Sequence, residues 1–265
     1  MRFLLSRRWL IFAILVALGA WGAWLLGQWQ FHRLEERRQS NHQIASNLNA
    51  PPVPVDMLLK PGRAPSAEIE WRRVTVHGTY DDAHAVVLKY QTRNGAAGVD
   101  VVTPLRTASG AAVLVDRGWM GTENSGATRP KLPPSTPGTV TVTGFVRQNA
   151  SGGATDIGDM STRAVSSVSI GHVVPYPLYG GFVDLAHQAP RPAKALAGAE
   201  LPDDTSDGPH FFYGLQWWFF GALAIFGFFF LMYDEWQQIR NGTWQKPSER
   251  PKHPTVDGQH RPSDE

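Results

Sequence analysis

Two long uncharged apolar runs enclose a polar middle, and this pattern sets the expected architecture. The first run covers residues 9–29 and the second 211–233. At about 1.5 Å of rise per residue, each run as a helix crosses the roughly 30 Å hydrocarbon core of a bilayer. A spanning segment satisfies its backbone polar groups internally, so both runs are predicted transmembrane α-helices. Residues 30–66 are polar, with helical spacing at Leu34, Ile44 and Leu48, and read as an extension of the first helix followed by a linker. The cluster Pro51-Pro52-Val53-Pro54 stops the helix, because proline lacks the amide donor and forces its predecessor into extended backbone.

From 67 to 188 the texture is β. The segment 68–80 alternates in places with a period of two and ends at Asp81-Asp82, a turn signal. A second strand is expected over 85–90, and Asn94-Gly95 is a strong hairpin turn that pairs it with 99–103. The wholly apolar 112–116 reads as a central strand, 139–146 as an alternating one and 182–185 as an edge strand. Segment 164–174 fits either a strand or a short helix. Short strands with Gly and Pro turns predict a mainly antiparallel β domain, a small sandwich or partly open barrel. Residues 189–210 form a Pro/Ala/Asp-rich linker, and the polar tail within 234–265 is expected to be disordered.

Charge places these segments. The net charge is only +2, which gives no reason to expect a nucleic-acid partner. Arg2, Arg7 and Arg8 precede the first helix, while Arg240, Lys246, Arg250 and Lys252 follow the second. The positive-inside rule puts residues 1–8 and 234–265 in the cytoplasm and the β domain outside. Arg33, Arg37 and Arg38 oppose this at helix one, but nothing basic lies closer to helix two from within than Lys194. The first run is too long and too rich in tryptophan for a cleaved signal peptide, so it is expected to stay as an anchor. A multi-pass protein of a bacterial plasma membrane is the expected location. Eight of the ten tryptophans lie in or near the two runs, where their rings suit the bilayer interface. Cysteine is absent, which excludes disulfides and thiolate metal sites.

The candidate chemistry gathers at the mouth of the second run. In His210-Phe211-Phe212-Tyr213-Gly214-Leu215-Gln216-Trp217-Trp218 a neutral imidazole, His210, is a possible axial ligand of haem iron. Tyr213 and Trp217 fall on its helical face, and Trp218 adds a further ring able to stack on a flat macrocycle. The alternative is an interfacial histidine within an aromatic belt that anchors the helix end. His32, just beyond helix one, is either a partner to His210 or a solvated side chain beside Arg33. Asp116-Arg117-Gly118-Trp119 reads as a structural corner in which Arg117 could pair with a carboxylate. No nucleophile elbow, phosphate loop or metal-ligand spacing occurs, so a non-enzymatic role is expected.

Taken in order, these segments resemble the Surfeit locus protein 1 family of cytochrome c oxidase assembly factors. Gly27-Gln28-Trp29-Gln30-Phe31-His32-Arg33 is similar to the family's G-x-W-Q-x-x-R signature. Gly78-Thr79-Tyr80 and Val101-Val102-Thr103-Pro104-Leu105 look like its early strands. Val113-Leu114-Val115-Asp116-Arg117-Gly118-Trp119 is similar to its V-[ND]-R-G-W motif, with Asp116 where Asn is common. The run from His210 to Trp218 is similar to its H-x-x-Y-x-x-x-W motif, with Gln216-Trp217 where Thr-Trp is frequent. The resemblance implies a non-catalytic role in the maturation of subunit I of haem-copper oxidases, with cytochrome c oxidase subunit I and haem A synthase as partners beside the lipid bilayer. It also implies transient binding of haem a through the histidine that matches His210. The alternative it leaves is an accessory subunit of a respiratory oxidase that binds no haem.

Overall fold

The computed structural model describes residues 6–124, 126–202 and 206–242. In chain order its elements are α1 (Arg7–Asn49), β1 (Val53–Pro54), α2 (Val55–Leu58), β2 (Arg73–Tyr80), β3 (Val86–Arg93), β4 (Ala96–Arg106) and β5 (Ala112–Gly121). They continue with β6 (Thr139–Arg147), β7 (Ser161–Thr162), α3 (Ser167–Gly171), β8 (Phe182–Ala189) and α4 (His210–Arg240). The chain divides into two compact units, Met1–Glu36 with Asp207–Glu265, and Arg37–Ser206.

The first unit is an antiparallel helix pair. Both α1 and α4 are long and apolar enough to cross a membrane, and most side chains in their apolar windows lie on the surface. Large apolar groups such as Leu15, Trp21, Phe219 and Phe226 are more than half exposed. At one end Trp9 packs edge-on against Phe228 at 5.5 Å, and its indole nitrogen donates to Glu235 at 3.2 Å. Arg8 also pairs with Glu235. Farther along, Ala23 faces Gly221 and the Phe31 ring lies against Gly214, the two buried residues of α4 being these glycines. Small residues at such positions let side chains of the partner helix seat closely. Helix α4 runs past position 233, where hydropathy predicts its end. Hydrogen bonds four residues apart, Gln237 to Tyr233 and Gln238 to Asp234, carry it to Arg240. The tail expected to be disordered lies, from residue 243, outside the described residues.

The second unit is a five-stranded barrel. The neighbours β2, β6, β8, β5 and β4 form a ring that closes where Thr79 and Tyr80 of β2 pair with Arg106 and Leu105 of β4. Closure favours the barrel over the sandwich. The long pairings are antiparallel, but β5 and β8 run parallel through Val115–Val183 and Asp116–Asp184. Strands β3 and β7 extend the sheet beyond the ring on β4.

Hydrophobic alternation explains the layers. Val74, Val76 and Tyr80 of β2 and Val140, Val142 and Val146 of β6 point into the barrel, and the positions alternating with them are polar except for Phe145, which packs on Trp71. Strand β5 is buried on both faces. Val113 and Val115 enter the barrel core, while Ala112 and Leu114 face a second cluster with Val86, Val102, Ile170 and Leu178. That second layer is why 112–116 carries no polar residue before Asp116. Residues 164–174 resolve as the short helix α3, capped when Ser166 Oγ accepts from the Ser169 amide and anchored by buried Ile170.

Three expectations change. Residues 67–69 form a single 3₁₀ turn, and the strand starts only at Arg73. Asn47, at the end of α1, holds this turn by donating to the carbonyls of Glu68 and Glu70 at 2.7 and 2.8 Å. The sheet also gains β1, within the proline cluster, parallel to β2. Strand β8 is no edge but sits between β6 and β5. Its second half, with Gln188 buried among polar partners, lacks the apolar texture that marks a central strand. The Asn94-Gly95 turn forms as expected, with φ of 50° and 77°, the positive values a type I′ hairpin requires.

Candidate functional site

The two apolar helices bring together residues separated by 180 positions. His210 opens α4 and is half-buried; its Nδ1 lies 2.8 Å from Oε1 of Gln30. A carboxamide oxygen only accepts, so Nδ1–H is the donor in this contact and Nε2 is the ring nitrogen left for another partner. An imidazole held by its second nitrogen is the arrangement that orients a histidine as a metal ligand.

Around this pair the rings divide. Trp218 packs on Phe31 of α1 with ring centroids 4.8 Å apart, and Phe31 meets Phe211 edge-on at 6.2 Å. Trp218 also covers Gly27, where a Cβ would stand 2.2 Å from the indole nitrogen. Trp217 is half-buried and meets Phe220 at right angles, 6.2 Å away. Tyr213 is 48% exposed. The residue that α1 offers to His210 is Gln30 rather than His32. His32 is exposed and lies two positions on, about 200° round the helix. Trp29 is exposed, with the Arg33 guanidinium 5.8 Å from its ring centre and Arg33 bonded to Glu36 at 2.9 Å. The first signature segment therefore contributes Gly27, Gln30 and Phe31 to the helix contact and leaves Trp29 and Arg33 at the surface.

In the barrel unit, Asp116-Arg117-Gly118-Trp119 makes a corner that fastens other segments. Gly118 has φ of 116° and donates its amide to Asp116 Oδ1 at 2.8 Å. A Cβ at Gly118 would stand 2.3 Å from the carbonyl oxygen of Ala197. Trp119 exchanges two backbone hydrogen bonds with that same Ala197, at 2.8 and 3.0 Å, so the segment after β8 is tied to the barrel. Arg93 adds to this tie by donating to the carbonyls of Ala197 and Gly198. Buried Arg117 donates to the carbonyls of Pro133 and Pro134.

Sequence reasoning missed a charged network beneath this corner. Strand register aligns Asp116 of β5 with Asp184 of β8, while Asp100 of β4 lies opposite Trp119. Arg93 binds Asp100 at 3.0 Å; Arg147 bridges Asp184 at 2.6 Å and Glu70 at 2.8 Å, stacked 4.0 Å over Trp71. Burial, reinforced by Asp100 and Asp184, holds the Asp116 carboxyl well above the usual carboxylate range. Burial likewise lifts Asp100 to about 6 against the pull of Arg93, and raises Asp184 despite Arg147. The available signal was a lone acid within each apolar strand segment. Elsewhere Asp81 accepts from both His84 and Tyr176 at 2.8 Å, fixing the turn after β2. Burial opposes the ionised form of Asp81, but those hydrogen bonds and the His84 charge together hold its carboxyl below its usual range. Among the described residues no group of three or more His, Asp or Glu side chains is arranged to hold a metal ion.

Residues 10–222 match the SURF1 family as a whole. The chain belongs to the SURF1 family. This family is known for cytochrome oxidase assembly factors. Similar relatives are SURF1-like proteins of Mycobacterium bovis and Mycobacterium tuberculosis, each 29% identical over 239 residues, covering 88% of this chain and 86% of the relative. A SURF1-like protein of Dictyostelium discoideum is 26% identical over 99 residues, 36% of this chain and 37% of its own length.

Proposed function

We propose that this SURF1-family chain is an integral membrane assembly factor for a haem-copper cytochrome c oxidase, aiding insertion of haem a into nascent subunit I or stabilising that subunit. In this reading α1 and α4 span a bacterial plasma membrane, both termini are cytoplasmic and the barrel is extracytoplasmic. Arg7 and Arg8 before the apolar stretch and Arg240 after it support that orientation.

The observation that carries the reading is the His210–Gln30 hydrogen bond, because it joins the two signature segments of the family in one place. Haem a would be cargo, and its iron takes an imidazole nitrogen as an axial ligand. The donor set fits one such position, with Gln30 fixing the tautomer of His210 and lipid-facing aromatics beside it. Gln30 acts as a positioning residue, and Trp218 with Phe31 fixes the spacing of the two helices. In this reading the role is delivery and stabilisation.

The test is the visible spectrum of the full chain purified from cells that make haem A. Wild type should carry a haem a signature, His210→Ala should lose it, and Gln30→Leu should weaken retention by about tenfold or more. An unchanged signature in His210→Ala sinks the ligand role. The same hydrogen bond equally suits an accessory subunit, in which it only staples the helices together. That reading predicts stoichiometric co-purification with mature oxidase and no haem on the isolated chain.

A further inference from the structure

Strand β8 and the segment after it wall a cavity of about 390 Å³. Arg117, His187, Arg191 and Lys194 line it, with Leu185 and Leu196 as apolar wall, and no carboxylate belongs to the described lining. The volume lies within the roughly 300–1,000 Å³ of small-molecule sites.

The side chains of this lining that carry formal charge, Arg117, Arg191 and Lys194, are all basic. The Arg117 side chain is only 5% exposed, and its nearest carboxylate, Asp82, is 3.6 Å away and itself 45% exposed. Burial pulls Arg117 below the usual guanidinium range, with the Asp82 charge opposing that pull. The Arg117 guanidinium is itself matched, by the Pro133 and Pro134 carbonyls and by its ion pair with Asp82, so it forms a fixed positive wall rather than an unpartnered donor. Arg191 and Lys194 stand exposed at the rim, with no hydrogen bond or ion pair among the described residues. Arg93, like Arg117, is committed, to Asp100 and to the carbonyls of Ala197 and Gly198. Gln188 is also committed, donating to Thr136 at 2.7 Å and Pro190 at 2.9 Å while accepting from Tyr80 at 3.0 Å. Recognition in the cavity therefore falls to positive charge over an apolar wall.

We infer that this cavity binds an oxyanion, the phosphate or carboxylate head of a small amphiphilic molecule, through Arg191 and Lys194, with the fixed charge of Arg117 behind them and Leu185 and Leu196 against its apolar part. The site lies wholly within the barrel unit and is independent of the haem reading. Converging cations on a partly desolvated wall strengthen charge-assisted hydrogen bonds to an oxyanion.

The test is calorimetric titration of the full chain in uncharged detergent with hexyl phosphate, inorganic phosphate and hexanol. Hexyl phosphate should bind, and the R191E/K194E variant should bind it on the order of tenfold more weakly or worse. Both side chains are exposed, so the barrel should unfold at the wild-type temperature; R191Q/K194Q gives a second, milder loss that does not depend on added acids. Tighter binding of hexyl phosphate than of inorganic phosphate identifies an amphiphile as the ligand class, and equal binding identifies a free oxyanion; each supports the site. Equal affinity in wild type and both variants, binding of hexanol as strong as that of hexyl phosphate, or no binding to wild type overturns it.

Discussion

The indole of Trp218 occupies the place where Gly27 would carry a side chain, with the built Cβ only 2.2 Å from the indole nitrogen and 2.3 Å from Cδ1. One signature segment thus supplies the gap and the other the ring that fills it. Gly27→Ala should loosen the helix pair by about 1–3 kcal/mol, the range for overpacked sites. Gly22→Ala, with nothing within 4 Å of the added carbon, is the matched control. Reversible unfolding in mixed micelles should separate the two, and equal stability would show that the indole yields without cost.

Gly118→Ala should destabilise the barrel unit by about 2–3 kcal/mol, because it combines a strained positive φ with a clash against a backbone carbonyl. Gly110 also has a positive φ of 85°, but its Cβ would meet open space. Gly110→Ala should therefore cost only about 1 kcal/mol. Thermal unfolding would read both, and the segment bearing Ala197 should become protease-sensitive only in the Gly118 variant.

The buried carboxyls make stability pH-dependent in an unusual direction. Asp116 has a folded-state pKa above its unfolded value, so the folded protein holds its proton more tightly. Stability from this group is full below the unfolded value, about 4, and declines as pH rises through the folded one. Asp100 adds the same trend between about 4 and 6. Asp116→Asn retains an oxygen for the Gly118 amide and removes the ionisation. It should stabilise the barrel at pH 8 and change little at pH 4, judged as the difference from wild type. A larger gain at pH 4 than at pH 8 would overturn this assignment.

Because the chain has no cysteine, single cysteines report its orientation directly. Ser109→Cys in the barrel unit and Asn241→Cys after α4 both place thiols at exposed positions. A membrane-impermeant maleimide should label the first in intact cells and the second only after lysis. The opposite pattern would reverse the proposed topology.

How far the sequence disclosed this structure depends on the range of the interaction. The apolar helices, the Asn94-Gly95 hairpin and the central position of β5 follow from local pattern, since burial on one or both faces writes itself into alternation. The centrality of β8 did not, because Asp184 and Gln188 are buried through pairing with Arg147 and Tyr80, partners far away in sequence. The 3₁₀ turn at 67–69 was hidden for the same reason, being held by Asn47. His210 was visible as a candidate, yet its partner Gln30 emerges only when α1 and α4 lie side by side. The acid network is a product of strand register, which a one-residue slip would have dispersed.

The place of β8 in the ring bears on how the protein is made. It is the last strand among the described residues, completed at Ala189, yet it fills the slot between β5 and β6. A nascent chain ending before Phe182 leaves two unpaired strand borders and an open Val-rich interior. The domain therefore completes late in synthesis, shortly before the second apolar helix, and a chain cut short before that point presents adhesive edges for quality-control proteases to find.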